Sequence, residues 1–280
     1  MREISYQTIV DTVARLCVEA NCRLGDDVYQ SLKAAYETEV SPVGKVCLQN
    51  IIENAEIARN EHIPICQDTG MAVLFVEYGQ EIVVTGGGFE DAIHAGVRRG
   101  YTEGLLRKSV VRDPLDRVNT GDNTPAIIHT TIVPGSELRI TIAPKGFGSE
   151  NMSGVKMLTP SDGVEGVKDF VVETVSRAGA NPCPPIVVGV GIGGTMEQAA
   201  LIAKKALLRR VGTLNDRPDL AELEAELLKR INRLGIGPQG LGGRMTALAV
   251  HINTYPTHIA GLPVAVNISC HVTRHKTAVI

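Results

Sequence analysis

The sequence changes its hydrophobic periodicity near Pro64, and this change constrains the fold more than any other feature. Before it, apolar residues recur at the spacing of amphipathic helices. The three helical runs predicted there are Ile4–Ala20, Asp27–Thr38 and 42–60. Ser41 and Pro42 open the third run as an N-cap and a first helical residue. The first part of the chain is therefore predicted to be helical.

After Pro64 the pattern becomes short β-rich runs with helical runs between them. The predicted strands are Ala72–Tyr78, Glu81–Thr85, Ala126–Val133 and Glu137–Ala143. The predicted helices are Phe89–Leu106, Gly163–Arg177, Thr195–Val211 and Asp219–Leu234. Only short stretches resemble linkers. We therefore predict a mixed α/β fold in a single domain of residues 1–280, with a helical lobe over about 1–62 and an α/β lobe over about 63–280.

The segment Met245–Thr273 contains no Asp, Glu, Lys or Arg. A stretch of that length resembles a membrane span, but Pro256, Pro263 and several polar residues interrupt it. We predict a buried strand, a loop and a second strand instead. The N-terminus lacks the apolar run of a secretory signal, so we expect a cytoplasmic protein that binds no membrane.

The charge of the chain is nearly balanced, with 28 Lys and Arg against 31 Asp and Glu. This balance predicts no general attraction to nucleic acids or anionic membranes. The hydrophobic fraction of 44% is ordinary for a folded protein and excludes a disordered chain. A small molecule or another protein is the expected partner.

The six cysteines fall into two groups by their surroundings. Without a secretory signal they are expected to be thiols or metal ligands and not a disulfide framework. Cys17 and Cys47 lie inside helical runs and Cys22 lies just past one, so these three are predicted to act as small apolar side chains.

The other three cysteines, Cys66, Cys183 and Cys270, lie in loops or at strand ends, where side chains can converge on a site. Thiolates suit iron-sulfur clusters, and a cluster held by three cysteines leaves one iron open to a substrate. Their spacing is far wider than the compact cysteine runs of ferredoxins. Spacing alone therefore leaves open that they are three unrelated thiols.

Five segments give these cysteines a context. In chain order they are Cys66–Gly70, Val118–Ala126, Lys145–Asn151, Asn181–Pro185 and His258–Cys270. Together they resemble the motifs of the class I fumarate hydratase family, specifically its alpha subunit, and the resemblance covers nearly the whole chain. It implies a class I alpha-type fold and a [4Fe-4S] cluster bound by Cys66, Cys183 and Cys270. It also implies reversible hydration of fumarate to L-malate, with L-tartrate dehydration as the alternative.

The resemblance suggests roles for residues beside the cluster ligands. Asp68 is the candidate for proton transfer or for orienting water, and the alternative is an aspartate that caps a turn. Gln67 is expected to bind a substrate carboxylate. Arg107 is the basic residue whose position best matches the family's carboxylate-binding arginine, and an arginine suits this role because its fork binds a carboxylate in a bidentate manner. A solvated arginine at a helix end is the alternative, and Lys108 and Arg112 are the other candidates for the role.

Two further positions complete the predicted site. Gly148, with Gly146, allows close backbone approach, so the peptide N–H groups of this loop are expected to bind an anionic substrate group; a plain tight turn is the alternative. His258 matches a substrate-contacting and catalytic histidine of the family. Without the resemblance, a satisfied core histidine would be the expected reading.

The chain also suggests a missing partner. It ends soon after the third predicted ligand, whereas single-chain members of the family continue into a second domain. We therefore expect a separate beta subunit, an α2β2 assembly and a small dicarboxylate substrate.

Two other classes of function stay open. Gly189–Gly194 fits the glycine pattern of a dinucleotide-binding turn, but the polar segment 212–218 does not suit the second strand that such a site needs. A scaffold subunit that keeps the fold and binds no cluster is the other class.

Overall fold

The computed structural model describes all 280 residues and shows a mixed α/β fold, as predicted. The α-helices are α1 Tyr6–Cys22, α2 Asp26–Thr38, α3 Pro42–Glu61, α4 Phe89–Glu103, α5 Phe147–Glu150, α6 Gly163–Ala178, α7 Met196–Ala206 and α8 Pro218–Asn232. The β-strands are β1 Arg2–Ser5, β2 Met71–Gly79, β3 Ile82–Thr85, β4 Ile127–Val133, β5 Leu138–Lys145, β6 Gly154–Leu158, β7 Ile186–Gly193, β8 Ala247–Tyr255, β9 Leu262–Ser269 and β10 Lys276–Val279.

The chain divides into two compact units, each built from separate stretches of sequence. The first unit consists of Met1–Leu24, Glu56–Phe147 and Arg274–Ile280. The second unit consists of Gly25–Ala55 and Gly148–Thr273. Residue 62, the expected boundary between a helical and an α/β lobe, is not a boundary of these units. A single catalytic domain over residues 1–280 stays a prediction.

The first unit contains a four-stranded sheet with the order β10-β5-β2-β4. Strand β2 is parallel to β4 and antiparallel to β5. Helices α1 and α4 pack on each other, and α1 contacts β5 and β10. A Cβ added at Gly96 would lie 2.6 Å from the Val13 Cβ, so glycine allows the two helices to approach closely.

The N-terminus of the first unit differs from the predicted helix Ile4–Ala20. Residues Arg2–Ser5 form β1, which pairs in parallel with β3, and α1 begins only at Tyr6. Ser5 is the N-cap, because its hydroxyl accepts a hydrogen bond from the Thr8 N–H at 3.1 Å. The partner strand lies about eighty positions along the chain, so local periodicity did not indicate it.

The second unit contains a four-stranded sheet with the order β6-β9-β7-β8. Strand β7 is parallel to β8 and antiparallel to β9. Helices α6 and α8 pack with the buried side chains of one face, and α7 contacts β7 and β9. The charge-free segment forms strand, loop and strand, as predicted, and no helix of the chain combines the length and apolar composition needed to cross a bilayer.

The glycines of β7 are explained by packing. Side chains alternate along a strand, so Val188 and Val190 join the core with α6 and α8 while the intervening glycines point the other way. An added Cβ would lie 2.2 Å from the Ala203 carbonyl oxygen at Gly189 and 2.1 Å from that of Ala199 at Gly191. The run that resembles a dinucleotide-binding turn therefore permits α7 to lie directly on β7.

Helix α7 ends at Ala206, earlier than the predicted Val211. Past this end, both Arg209 terminal nitrogens donate to the buried Glu224 carboxylate at 2.9 and 2.5 Å. The Val211 N–H donates to the Asp27 carboxylate at 2.8 Å. These contacts offer the segment an alternative to continuing the helix.

Candidate active site

The first predicted ligand lies in the first unit, in the loop Cys66–Gly70 between α3 and β2. The Cys66 side chain is half-buried and its Sγ lies 3.3 Å from the Gln67 Oε1, while Gln67 itself is exposed. Gly70 has a positive φ of 76°, and an added Cβ would lie 2.8 Å from the backbone of Lys145. Only glycine fits at the end of this loop.

Asp68 is held by two backbone N–H groups. Its Oδ1 accepts from Gly70 at 3.0 Å, and its Oδ2 accepts from Phe147 at 2.9 Å. The turn-capping contact, which was the alternative to a catalytic role for Asp68, is therefore present, together with a second contact to the loop after β5. An ionised carboxylate offers about four lone-pair sites, so Asp68 retains acceptor capacity. Its role in proton transfer stays a prediction.

Arg107 lies in a segment attached to the same loop. The Thr69 hydroxyl donates to the Arg107 carbonyl oxygen at 3.1 Å, and the Arg107 side chain is exposed. Arg112 is also exposed and Lys108 is half-buried. The structure thus joins the Arg107 backbone to the loop of the first predicted ligand, and the choice of Arg107 over Lys108 and Arg112 stays a prediction.

The second and third predicted ligands lie at one edge of the sheet in the second unit. Because β7 and β9 are antiparallel, with Val187 opposite Ser269, the segment before β7 meets the segment after β9. Cys183 precedes β7 and Cys270 follows β9. The His271 backbone N–H and Nδ1 lie 3.4 and 2.9 Å from the Cys183 carbonyl oxygen. These contacts join the Cys183 segment to the residue that follows Cys270.

The Gly148 position has an open environment. An added Cβ would meet only the Asn181 carbonyl oxygen, at the ordinary contact distance of 3.7 Å. Packing within the protein therefore does not require glycine at this exposed position. Close approach of a ligand to the backbone is a remaining reason for it, in line with the predicted substrate loop. The role stays a prediction.

His258 lies in the loop between β8 and β9 and is exposed, so it is not the core histidine considered as its alternative. Its Nδ1 accepts from the Ala260 N–H at 3.1 Å, which leaves Nε2 as the donor of the neutral ring. The core histidine is His251, which is 2% exposed. Burial and, second, the charge of Arg209 lower the pKa of His251 to about 4, so this ring is neutral at pH 7.

The thiols outside the loops are poor ligand candidates. No disulfide joins any of the six cysteines. Burial raises the pKa of Cys17 and Cys22, and the nearby Arg274 charge opposes this only in part at Cys22. Both therefore stay protonated, whereas a metal ligand must be a thiolate.

The predicted ligand set suits an iron-sulfur cluster in donor type and in the accessibility of each thiol. Cys183 is exposed, and Cys66 and Cys270 are half-buried, each in a loop or directly after a strand. Thiolate donors at such positions suit a cluster. No group of three or more His, Cys, Asp or Glu side chains is arranged to hold a single metal ion.

Comparison with known proteins identifies the family. A family model described as fumarate hydratase (fumerase) matches residues 10–279. The chain belongs to the fumarate hydratase family. The putative L(+)-tartrate dehydratase subunit alpha of Methanocaldococcus jannaschii is 46% identical over 278 residues, which are 95% of each chain. The L(+)-tartrate dehydratase alpha subunits of Escherichia coli O157:H7 and K12 are both 35% identical over 283 residues, covering 100% of this chain and 93% of each relative.

Membership of the fumarate hydratase family confirms the predicted resemblance and the predicted class of enzyme, a hydro-lyase. The match and the relatives span nearly the whole chain, as the predicted resemblance does.

Three buried polar side chains of this fumarate hydratase family chain hydrogen-bond to the backbone of the loop Cys66–Gly70: Tyr101, Asn123 and Arg274. The sequence indicates Asn123 only as part of the segment Val118–Ala126, and it indicates no role for Tyr101 or Arg274. One signal was available for Arg274, since it is the first charged residue after the charge-free segment. No such signal was available for Tyr101, because a tyrosine in an amphipathic helix is usually an ordinary core residue.

Proposed function

We propose that the chain is the alpha subunit of a [4Fe-4S]-dependent hydro-lyase that interconverts fumarate and L-malate. The observation that carries this proposal is the match to the fumarate hydratase family over residues 10–279. The environments of the predicted site residues support it, because the loop cysteines are accessible while the helical Cys17 and Cys22 are buried.

The proposed cluster ligands are Cys66, Cys183 and Cys270. When bound, the cluster supplies an open iron that acts as a Lewis acid on the substrate hydroxyl and carboxylate. The protein residues around it bind and orient the dicarboxylate and handle the proton.

Binding of the two substrate carboxylates is assigned to Gln67, Arg107 and the backbone N–H groups near Gly148. An exposed guanidinium binds a carboxylate through two parallel hydrogen bonds, and an exposed amide side chain adds a donor. The open space at Gly148 admits a substrate oxygen to the peptide group.

Proton transfer is assigned to Asp68, with His258 as a second catalytic group. Two backbone N–H groups fix the Asp68 carboxylate and leave lone pairs to receive a proton from the carbon adjacent to the one that bears the hydroxyl, as water leaves and the double bond forms. The Nε2 of His258 is its donor atom, because Nδ1 already accepts from the Ala260 N–H.

A beta subunit is part of the proposal. The relatives reported above are named alpha subunits, and we propose that this chain likewise requires a beta chain, in an α2β2 assembly, to complete the substrate site.

Dehydration of L(+)-tartrate is the second candidate function. It is favoured by the names of relatives that are 35 to 46% identical to this chain over nearly its whole length. Tartrate carries one hydroxyl more than malate, so a donor or acceptor for that hydroxyl would discriminate strongly between them.

The test is co-expression with the candidate beta chain, anaerobic reconstitution with iron and sulfide, and comparison of L-malate with L(+)-tartrate. We expect iron and sulfide to be retained and L-malate to be dehydrated with the higher kcat/KM. The reverse order of kcat/KM values selects the second candidate. If neither substrate is dehydrated, the proposed function is wrong.

A further inference from the structure

Three consecutive backbone carbonyls of the Cys66–Gly70 loop are held by side chains from distant parts of the first unit. The Arg274 Nη2 donates to the Asp68 carbonyl oxygen at 2.5 Å. The Tyr101 hydroxyl lies 2.8 Å from the Thr69 oxygen and 3.1 Å from the Gly70 oxygen. The Asn123 Nδ2 donates to the Gly70 oxygen at 3.2 Å. Side chains from distant parts of the first unit thereby add to the internal bond from the Gly70 N–H to the Asp68 carboxylate in fixing this turn.

These three side chains are buried, so their contacts are protected from water. Tyr101 and Asn123 are fully buried and Arg274 is 7% exposed. Burial raises the pKa of Tyr101, so its hydroxyl stays protonated and donates. Hydrogen bonds made in such an environment are strong, and losing one leaves an unpaired buried group.

The buried guanidinium group of Arg274 is expected to lower the stability of the folded chain. Its Nε and Nη1 atoms have no hydrogen-bond partner, and its one hydrogen bond goes to a backbone carbonyl and not to a carboxylate. A buried charge without a counter-charge destabilises a fold. Stability alone therefore does not explain an arginine at this position.

The same contacts reach a second predicted substrate group. Thr69 donates through its hydroxyl to the Arg107 carbonyl oxygen at 3.1 Å. The Asn123 Oδ1 accepts from the Ser109 N–H at 2.7 Å. A shift of the loop would thus move both the Asp68 carboxylate and the backbone of Arg107.

We propose that Arg274, supported by Tyr101 and Asn123, is a positioning residue that fixes the Asp68 carboxylate for the reaction. This inference rests on the proposed function for its effect on rate, and on geometry alone for its effect on the loop. Displacing a reacting group by about 1 Å lowers the rate by roughly 100-fold. Arg274 itself does not touch the substrate in this proposal.

The test uses Arg274→Met and Arg274→Lys in the reconstituted complex with the beta chain. Arg139→Met is the control, since Arg139 lies in the same unit but pairs with Glu77 at the surface. We expect Arg274→Met to lower kcat by roughly 10- to 100-fold with a smaller change in KM. Thermal stability should change little, because removal of the unpaired buried charge offsets the hydrogen bond lost at the Asp68 carbonyl, and iron content should stay at the wild-type value. Arg274→Lys should recover much of kcat because an ammonium still donates to the Asp68 carbonyl.

Hydrogen exchange provides a readout that does not depend on activity. The N–H groups of Gly70 and Phe147 donate to the Asp68 carboxylate and report its position. In Arg274→Met their exchange should accelerate while that of the β2 and β5 strands stays unchanged. Tyr101→Phe, which removes one hydroxyl and keeps the ring, should give the same local pattern if Arg274→Met does not fold.

The outcomes separate the two proposals. If the wild-type complex dehydrates neither substrate, the proposed function is wrong. Hydrogen exchange of the Gly70 and Phe147 N–H groups then still tests whether Arg274 positions the loop. Unchanged local exchange in Arg274→Met and Tyr101→Phe overturns the positioning proposal even if the wild type is active. The positioning proposal is also wrong if the variants lose stability throughout the protein while each folded, iron-loaded complex keeps the wild-type kcat.

Discussion

The loop that carries Cys66 and the sheet edge that carries Cys183 and Cys270 are held in place by different kinds of contact. The first depends on single buried side chains, which reach the loop carbonyls from distant parts of the first unit. The second depends on the pairing of β7 with β9 and on their packing against helices of the second unit. The position of the Cys66 loop is therefore expected to depend on single hydrogen bonds. The position of the sheet edge is expected to depend on side-chain and helix packing.

The largest expected effect comes from the predicted ligands, and it tests whether the two regions serve one site. Cys66→Ser in the loop, and Cys183→Ser or Cys270→Ser at the sheet edge, should each lower iron content and reduce kcat/KM by at least about 100-fold. The reason is that a Lewis acid supplies several kcal/mol of transition-state stabilisation, at about 1.4 kcal/mol per factor of ten.

Cys47→Ser is the matched control, because this thiol is half-buried within α3 and is not a proposed ligand. It should keep full iron content and activity. Unchanged iron content in either Cys66→Ser or the sheet-edge variants would separate the two regions and remove the proposed ligand set.

The next effect concerns the packing that supports the sheet edge. In Gly191→Ala the new Cβ would lie 2.1 Å from the Ala199 carbonyl oxygen, so α7 and β7 must move apart. We expect a loss of about 3 kcal/mol in the free energy of unfolding, the upper part of the usual range for overpacking. Urea unfolding measures it.

Gly121→Ala serves as the comparison for Gly191→Ala. Its φ is positive but nothing lies within 4 Å of the added Cβ, so it reports backbone strain without a clash and should cost about 1 kcal/mol. Equal losses in the two variants would contradict the packing explanation of the β7 glycines.

Much of the fold was accessible from sequence because it follows local patterns. The helices α2, α3, α6 and α8 end within a few residues of their predicted limits, and the cap of α3 is confirmed by the bond from the Gly44 N–H to the Ser41 hydroxyl at 3.1 Å. The strands β1, β6 and β10 were not predicted, because each has only four or five residues and is stabilised by a distant partner strand. Local sequence carries little information on such pairs.

The candidate site shows the same division between local and distant information. The loop cysteines and Asp68 could be proposed from the sequence because their neighbours form recognisable segments. The Phe147 N–H donates to the Asp68 carboxylate from 79 positions along the chain. Arg274 donates to the Asp68 carbonyl oxygen from 206 positions along the chain. Only the folded chain reveals which buried polar groups meet, so these supports were not predictable.

Glu39 is an exception to the difference between the two units. In the second unit, too, this buried side chain forms hydrogen bonds with backbone groups. This carboxylate is 2% exposed and accepts hydrogen bonds from the N–H groups of Val40, Ser41, Arg244 and Met245 at 2.7 to 3.0 Å. Burial raises the pKa of Glu39, but the four hydrogen-bond donors together lower it below its usual value.

Glu39→Gln should therefore lower the free energy of unfolding by about 2 kcal/mol at pH 7, because hydrogen bonds to a charged acceptor are stronger than those to a neutral one. The folded-state pKa lies below the unfolded value of about 4.3, so the carboxylate contributes fully above that pH. The contribution is lost as the pH falls through the folded-state pKa. Urea titrations at pH 7 and below pH 4 measure the difference, and a difference that grows on acidification would contradict the assigned direction.

Gly148→Ala should have the smallest effect on the free energy of unfolding. Compared with Gly191→Ala, it distinguishes a glycine that a ligand requires from a glycine that packing requires. The added Cβ meets only the Asn181 carbonyl oxygen at 3.7 Å, so the free energy of unfolding should change by less than about 0.5 kcal/mol. If the backbone near Gly148 binds a substrate carboxylate, the methyl group should raise KM by up to about tenfold, or 1.4 kcal/mol. Steady-state kinetics beside urea unfolding measures both quantities. Gly191→Ala should show the opposite pattern, a large loss of stability with an unchanged KM for the molecules that remain folded. An unchanged KM in Gly148→Ala would remove this loop from the substrate site and leave the plain tight turn as its explanation.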